Sequence, residues 1–483
     1  MSALSRQCAA TSRAGAGASR KQLLSKGPGA CSTVQTRSYA AVQKKAASKQ
    51  GPNGFKGGRN QESQKKYKVD PNARIMQYKP LPAAQLASPL FQTVNPDPLA
   101  ALPTFRADTL TRSQASRALA FADAAQDASA PFRVFGVQRR MVLEFRLLSR
   151  ACSVVRGVTL DVVDRLDKAG QEGSKGNRLV LTGDEGCGKS FALLQATQYA
   201  AGRDWLVLYI PRGIDLVNSS TPYVYDARTQ TYLQGAFALE TLKRFARANA
   251  AKLNDLVTST PVELEPRAVL LAGLQPQGQS TNPAASEGTV LPPGTPITQL
   301  IEIGTREASV APAVLDSLLE QLGQQTKRPV LLAVDDFQAV YGKSAYKDPH
   351  FAQIRPWHLS MPRLILEYAS GNKTFARGAV LGALSSSPHY PLPLELAESL
   401  NTPSHAPSSG PYVQRHATAQ FYASGLETIP VPSKLSIPEA AALFSVRWKG
   451  GKEPGDEMFF SRYVESGGNA RSFVWKGILG GAL

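Results

Sequence analysis

The chain reads as an α/β protein, a parallel sheet flanked by helices, and three stretches carry that expectation. In the first, the apolar run Arg178-Leu-Val-Leu-Thr182 ends in glycine and opens a helix-patterned stretch from Ser190 to Ala201. In the second, Trp205-Leu-Val-Leu-Tyr-Ile210 completes a strand–helix–strand unit, which implies parallel strands joined by a right-handed crossover. In the third, Val330-Leu-Leu-Ala-Val334-Asp335-Asp336 is an apolar strand that delivers carboxylates to its C-terminal tip.

The turn between the first strand and its helix is Gly183-Asp184-Glu185-Gly186-Cys187-Gly188-Lys189-Ser190, a G-x-x-x-x-G-K-S phosphate-binding pattern. Glycines let the backbone curl until several N–H groups converge on one anion, and the helix that follows adds the positive end of its dipole. Lys189 can then reach the β- and γ-phosphates, and Ser190 can ligate Mg²⁺, with Phe191 flanking them at the start of the helix. Asp335 supplies the second half of such a site, holding a Mg²⁺-bound water opposite Ser190. Asp336 stands where hydrolysing relatives of the ATPase class often carry a water-activating Glu. Its shorter side chain makes a poor general base, so nucleotide binding with weak or absent hydrolysis is expected and no catalytic residue is assigned.

The net charge of +18 is concentrated at the head, where residues 1–61 hold eleven Lys/Arg and no acid. Residues 1–39 are rich in Arg, Ser and Ala, and Arg37-Ser38-Tyr39-Ala40 fits a matrix-protease cut before Ala40. This describes a mitochondrial transit peptide, with a disordered basic tail as the alternative. Residues 40–106 read as an extended arm, basic up to Lys68 and Pro-punctuated from Pro71 to Pro103. Its basic part suits RNA phosphates and equally a solvated linker. The cysteines Cys8, Cys31, Cys152 and Cys187 form no CxxC and no disulfide framework, the five histidines show no ligand spacing, and no apolar run reaches the roughly eighteen residues of a membrane span.

The nucleotide domain is expected over residues 107–400. Pro131 to Val137 reads as a short strand or loop, and Phe132 to Arg140 is the candidate contact for the nucleotide base, with ordinary packing as the alternative. Helical spacing covers Arg139–Ser149, Thr159–Lys168, Phe237–Leu253, Glu265–Ala272 and Ala313–Leu322. Residues 273–296 are Gly/Pro/Gln/Ser-rich and read as a surface insertion. Arg377 to Ser387 is a further buried strand whose terminal serines could sense a γ-phosphate or simply begin a loop. Residues 401–483 are expected to form a mainly helical lid, with helices near Ile437–Phe444 and Glu457–Val464. There Ser466-Gly-Gly-Asn469-Ala-Arg471 looks like the lid turn of AAA-type ATPases, in which an Arg reaches back to the nucleotide.

From about Pro131 onward the sequence resembles the death-associated protein three family of mitochondrial small-subunit ribosomal proteins. The resemblance rests on the Phe135-Gly onset, Gly183 to Ser190, Leu208-Tyr-Ile-Pro211-Arg, Tyr223 to Gln234, Val334-Asp-Asp-Phe337 and Gly468-Asn-Ala-Arg471. It implies a P-loop domain of AAA-like build in the head of the small subunit, near the subunit interface, in the mitochondrial matrix. It also implies bound GTP or GDP with Mg²⁺, and as partners the small-subunit rRNA, neighbouring head proteins and a contact to the large subunit, with no homo-oligomer. A guanine-selective Asn-Lys-x-Asp is not found, because Asn372-Lys373-Thr374-Phe375 ends in Phe, so ATP stays open. The competing reading is an active AAA-like ATPase or GTPase with a signalling role. It accounts for the loop and leaves the basic head unexplained.

Overall fold

The computed structural model describes residues 102–122, 127–148, 151–263, 290–402, 414–448 and 455–479. The expected transit peptide, most of the arm, the helix at 265–272 and most of the insertion lie outside these residues. Five parallel strands form the central sheet: β1 Arg178–Thr182, β2 Leu206–Ile210, β3 Val330–Asp335, β4 Gly378–Ala383 and β5 Glu427–Pro430. Their spatial order is β5-β1-β4-β3-β2, with every neighbouring pair parallel. Strands β2, β3 and β4 are buried along their whole length, which is why their sequences are continuous runs of Val, Leu, Ile and Ala rather than alternating ones. Ala383 of β4 pairs with Leu181 on one side and Asp335 on the other, so the carboxyl ends of β1, β4 and β3 finish level. Ligands of parallel sheets bind at that edge.

Strand β5 was not expected. It has no apolar run, buries only Ile429 and ends in Pro430, all marks of an edge strand whose proline needs no ladder partner on its outer side. Because it pairs with β1, the sheet extends into the residues assigned to the lid, where helix Ala417–Ala423 precedes it and helix Ile437–Trp448 follows.

Helix Lys189–Gly202 packs on helix Gly157–Ala169 and touches β4, β3 and β2, covering the sheet. Helices Gly235–Ala248, Ile297–Arg306 and Ala311–Gln324 pack on one another, and the first also touches β2. The stretch expected as one helix from Phe237 to Leu253 breaks at Asn249. That buried side chain both accepts from Val207 N (3.0 Å) and donates to Val207 O (3.0 Å), acting as a neighbouring strand for the edge of β2. Residues 131–134, expected as a strand or loop, form one helical turn with Pro131 at its start, where a missing N–H costs nothing. The end of the expected insertion is also ordered: Val290–Leu291 pairs antiparallel with Val262–Glu263, and Leu291 is buried. At the other end of the domain, Phe105, assigned to the arm, is buried against Phe121 with ring centroids 5.8 Å apart.

The tail builds a second core. Helices Ile437–Trp448 and Asp456–Glu465 and the π-helical segment Phe473–Leu479 bring Phe444, Phe459 and Phe473 together in edge-on and tilted pairs. Leu148 and the antiparallel ribbon Ala118–Ala120/Cys152–Val154 complete it.

Candidate functional site

The Gly183–Ser190 loop leaves the carboxyl end of β1 with positive φ at Gly183, Gly186 and Gly188. Gly186 shows why a side chain is excluded: a Cβ there would lie 2.6 Å from Asn469 Oδ1 and 2.9 Å from Arg471 Cβ. Lys189 is buried, and its ammonium donates to Gly183 O and Asp184 O, each at 2.7 Å, with Cys187 Sγ 3.7 Å away. Ser190 Oγ donates to Asp335 Oδ1 at 3.1 Å across the end of β4, as the level strand tips allow.

Asp335 is fully buried. Gln138 Nε2 donates to its Oδ2 (2.7 Å) and Asp336 N to its Oδ1 (3.0 Å). Burial, reinforced by the neighbouring Asp336 carboxylate, holds the Asp335 pKa well above the usual carboxylate range. A buried carboxylate and a hydroxyl 3.1 Å apart, with desolvation opposing the carboxylate's charge, form a hard-oxygen donor set that suits Mg²⁺. Asp336 takes a left-handed backbone (φ 55°) that turns its carboxylate toward Arg212 Nε at 4.0 Å. Burial also raises its pKa, against the lowering effect of Ser385 and Arg212.

The lid turn closes over the loop. Asn469 Nδ2 donates to Glu185 O (2.8 Å), Arg471 N to Gly186 O (3.0 Å), and the Arg471 guanidinium to Glu185 Oε1 (2.7 Å). Arg471 therefore meets the phosphate-loop sequence itself, and it lines the cavity between the loop and the lid. Gly186, Cys187, Gly188, Lys189, Ser190 and Phe191 line the same cavity. Of the Phe132–Arg140 candidate, Phe132, Val134 and Phe135 are buried in the core, whereas Gln138 and Arg140 face the cavity. Ser385 and Ser386 reach it as well, with Ser385 fixed by Gln338, which donates to its Oγ at 2.7 Å and accepts from its N at 2.9 Å. Lys373 of the Asn372-Lys373 pair is engaged with Asp316 at 2.6 Å, outside the cavity lining.

Two residues at this site carry no sequence motif. Arg156, nearly buried, donates to Cys187 O in the loop, to Pro432 O (3.1 Å) and Lys434 O (2.9 Å) after β5, and to Glu439 Oε2 (3.3 Å). Glu439 in turn accepts from Ser436 N (2.9 Å), so Ser436-Ile-Pro-Glu439 is a capping box that also receives a guanidinium. That S-x-x-E spacing was the one signal in the sequence that could have found this junction. Glu144 is buried at the cavity wall and accepts from Trp475 Nε1 at 2.7 Å. Burial raises its pKa from an ordinary 4.5 to about 7, against the lowering effects of Trp475, Arg471 and Arg140.

Comparison with known proteins adds the family. Residues 153–473 match the family described as "Mitochondrial ribosomal death-associated protein 3". The chain is 27% identical over 264 residues to "Small ribosomal subunit protein mS29" of Schizosaccharomyces pombe, covering 54% of this chain and 51% of that one. It is 29% identical over 234 residues to the protein of the same name from Neurospora crassa, covering 48% and 45%. It is 25% identical over 230 residues to that of Bos taurus, covering 47% and 52%. The chain thus spans about half the length of the curated relatives it matches. With the match running from the ribbon before β1 through the lid turn that closes the loop, the chain belongs to the mitochondrial ribosomal death-associated protein 3 family.

Proposed function

We propose that this protein is a structural component of the small subunit of the mitochondrial ribosome, working in the matrix, and that it holds a guanine nucleotide with Mg²⁺ as a clasp between its sheet and its lid. One observation carries the clasp. The Gly183–Ser190 loop is bonded to the tip of β3 through Ser190 and Asp335 and to the lid through Asn469 and Arg471, so a ligand on this loop joins two cores. The loop N–H groups and the start of helix Lys189–Gly202 would cradle the phosphates. Lys189 would turn from the Gly183 and Asp184 carbonyls to them, and Ser190 and Asp335 would hold the metal, which neutralises phosphate charge. A nucleotide at 100 times its dissociation constant adds about 2.7 kcal/mol to stability without turnover.

The family, the relatives' names and the eight Lys/Arg of residues 40–68 support the ribosomal assignment. They suit partners such as small-subunit rRNA, head proteins and a large-subunit neighbour. Hydrolysis is weak or absent in this reading, because the carboxylate of Asp336 is turned to Arg212. The test is Lys189→Ala. Fluorescent GDP binding should be lost and incorporation into small subunits lowered. Lost binding with unchanged incorporation, or wild-type turnover near roughly 10 s⁻¹, would overturn the clasp.

A further inference from the structure

We propose that Glu144 is the residue that selects the nucleotide base at this site, and that it selects guanine. The inference rests on the clasp reading above and supplies what the missing Asn-Lys-x-Asp leaves open. Guanine is told from adenine by two adjacent donors, the ring N1–H and the 2-amino group, which together match the two oxygens of one carboxylate. Adenine presents a bare ring nitrogen at the same place and repels it.

Three observations put such a carboxylate here. Glu144 lies on helix Arg139–Leu147 six residues after Gln138, whose amide is on Asp335. The axial rise from Gln138 to Glu144 is about 9 Å at 1.5 Å per helical residue, comparable to the length from a nucleotide's phosphates to its base, and both residues line the cavity. Its surroundings suit a flat ring, since Met141, Phe145, Leu443 and Val474 line the cavity beside it. Trp475 Nε1 fixes Oε1 at 2.7 Å, and among the described residues no hydrogen bond falls on Oε2. Arg140 on its own helix and Arg471 of the lid turn are the charges that act on it, with Arg156 and Lys189 further along the cavity lining. The carboxylate is therefore oriented by one partner while keeping acceptor capacity. Burial opposes the ionised form of this side chain, and a ligand that donates to its oxygens supplies the hydrogen bonds that favour that form.

The experiment compares the purified full chain with Glu144→Gln, measuring GDP, ADP and xanthosine diphosphate by calorimetry. The substituted amide keeps an oxygen for Trp475 and adds N–H donors, which oppose guanine's 2-amino group and complement xanthine's 2-carbonyl. The wild type should prefer GDP to ADP by at least about tenfold. Glu144→Gln should lose GDP by about tenfold or more, leave ADP within about threefold, and gain xanthosine diphosphate by about tenfold. A gain for xanthine cannot come from a damaged fold. Equal wild-type affinity for GDP and ADP, or a Glu144→Gln protein that keeps GDP, overturns the inference while leaving the clasp in place. Binding of none of the three by the wild type overturns the clasp as well.

Discussion

Replacing Arg156 with Met should be among the most damaging changes that avoid the hydrophobic core. The guanidinium is 9% exposed and its partner Glu439 10% exposed, so the pair is desolvated on both sides. Removing the cation leaves a carboxylate buried with only the Ser436 N–H on its Oε2. It also strips donors from the carbonyls of Cys187, Pro432 and Lys434. Breaking a buried pair from one side costs about 3–5 kcal/mol, and orphaned carbonyls add to it unless water enters. A loss near 4 kcal/mol is expected, a large share of the 5–15 kcal/mol that separates typical folded and unfolded states. Urea titration by circular dichroism measures it, with Glu439→Gln and the double variant closing a cycle. Gln at 439 still caps its helix but no longer strands a charge, so the double variant should be more stable than the sum of the singles predicts by about 1.5 kcal/mol or more. A loss under about 1 kcal/mol for Arg156→Met, or strictly additive singles, would refute the view of Arg156 as the joint between loop, sheet edge and lid.

Two further outcomes can be measured. Because burial raises the Glu144 pKa from 4.5 to about 7, the folded state binds the proton that the unfolded state releases between those pH values. Stability should therefore fall as pH rises through about 4.5–7, by up to about 3 kcal/mol, and a Glu144→Gln protein should lack that slope in denaturation at a series of pH values. Gly186→Ala combines φ +75° with a lid contact at 2.6 Å, whereas Gly294→Ala combines φ +90° with nothing within 4 Å. The second substitution should cost only the backbone strain, about 1 kcal/mol, and the first a further 1 kcal/mol or more, together with faster trypsin cleavage in the lid.

What the sequence disclosed depended on how local each signal was. Four sheet strands were legible because strands covered on both faces must be apolar throughout, and the meeting of Ser190 with Asp335 was legible because a G-x-x-x-x-G-K-S turn and a strand-tip acid are short patterns. β5 was not, since an edge strand needs no apolar run and tolerates Pro430. Arg156 and Glu144 were hidden for another reason. Arg156 meets Glu439, 283 positions on, and Glu144 meets Trp475, 331 positions on, so nothing beside either residue marks it as part of a site. Pro131 misled because a single helical turn has too few residues to show a period.

The arrangement of these long-range bonds bears on whether the loop drives motion or holds position. A nucleotide can shift a lid only as far as it binds one lid position better than another. Here Asn469, Arg471 and Arg156 tie the lid and the segment after β5 to the loop through protein atoms alone, in six hydrogen bonds to Glu185, Gly186 and Cys187 and to the Pro432 and Lys434 carbonyls. Lid closure thus has its own protein scaffold, and a nucleotide would add to a position already favoured rather than create it. A ligand with that relation to its lid stabilises a fixed shape, which is the service a protein gives when other chains and RNA must dock against it. An engine would need the opposite: lid contacts that the scaffold withholds and the γ-phosphate supplies.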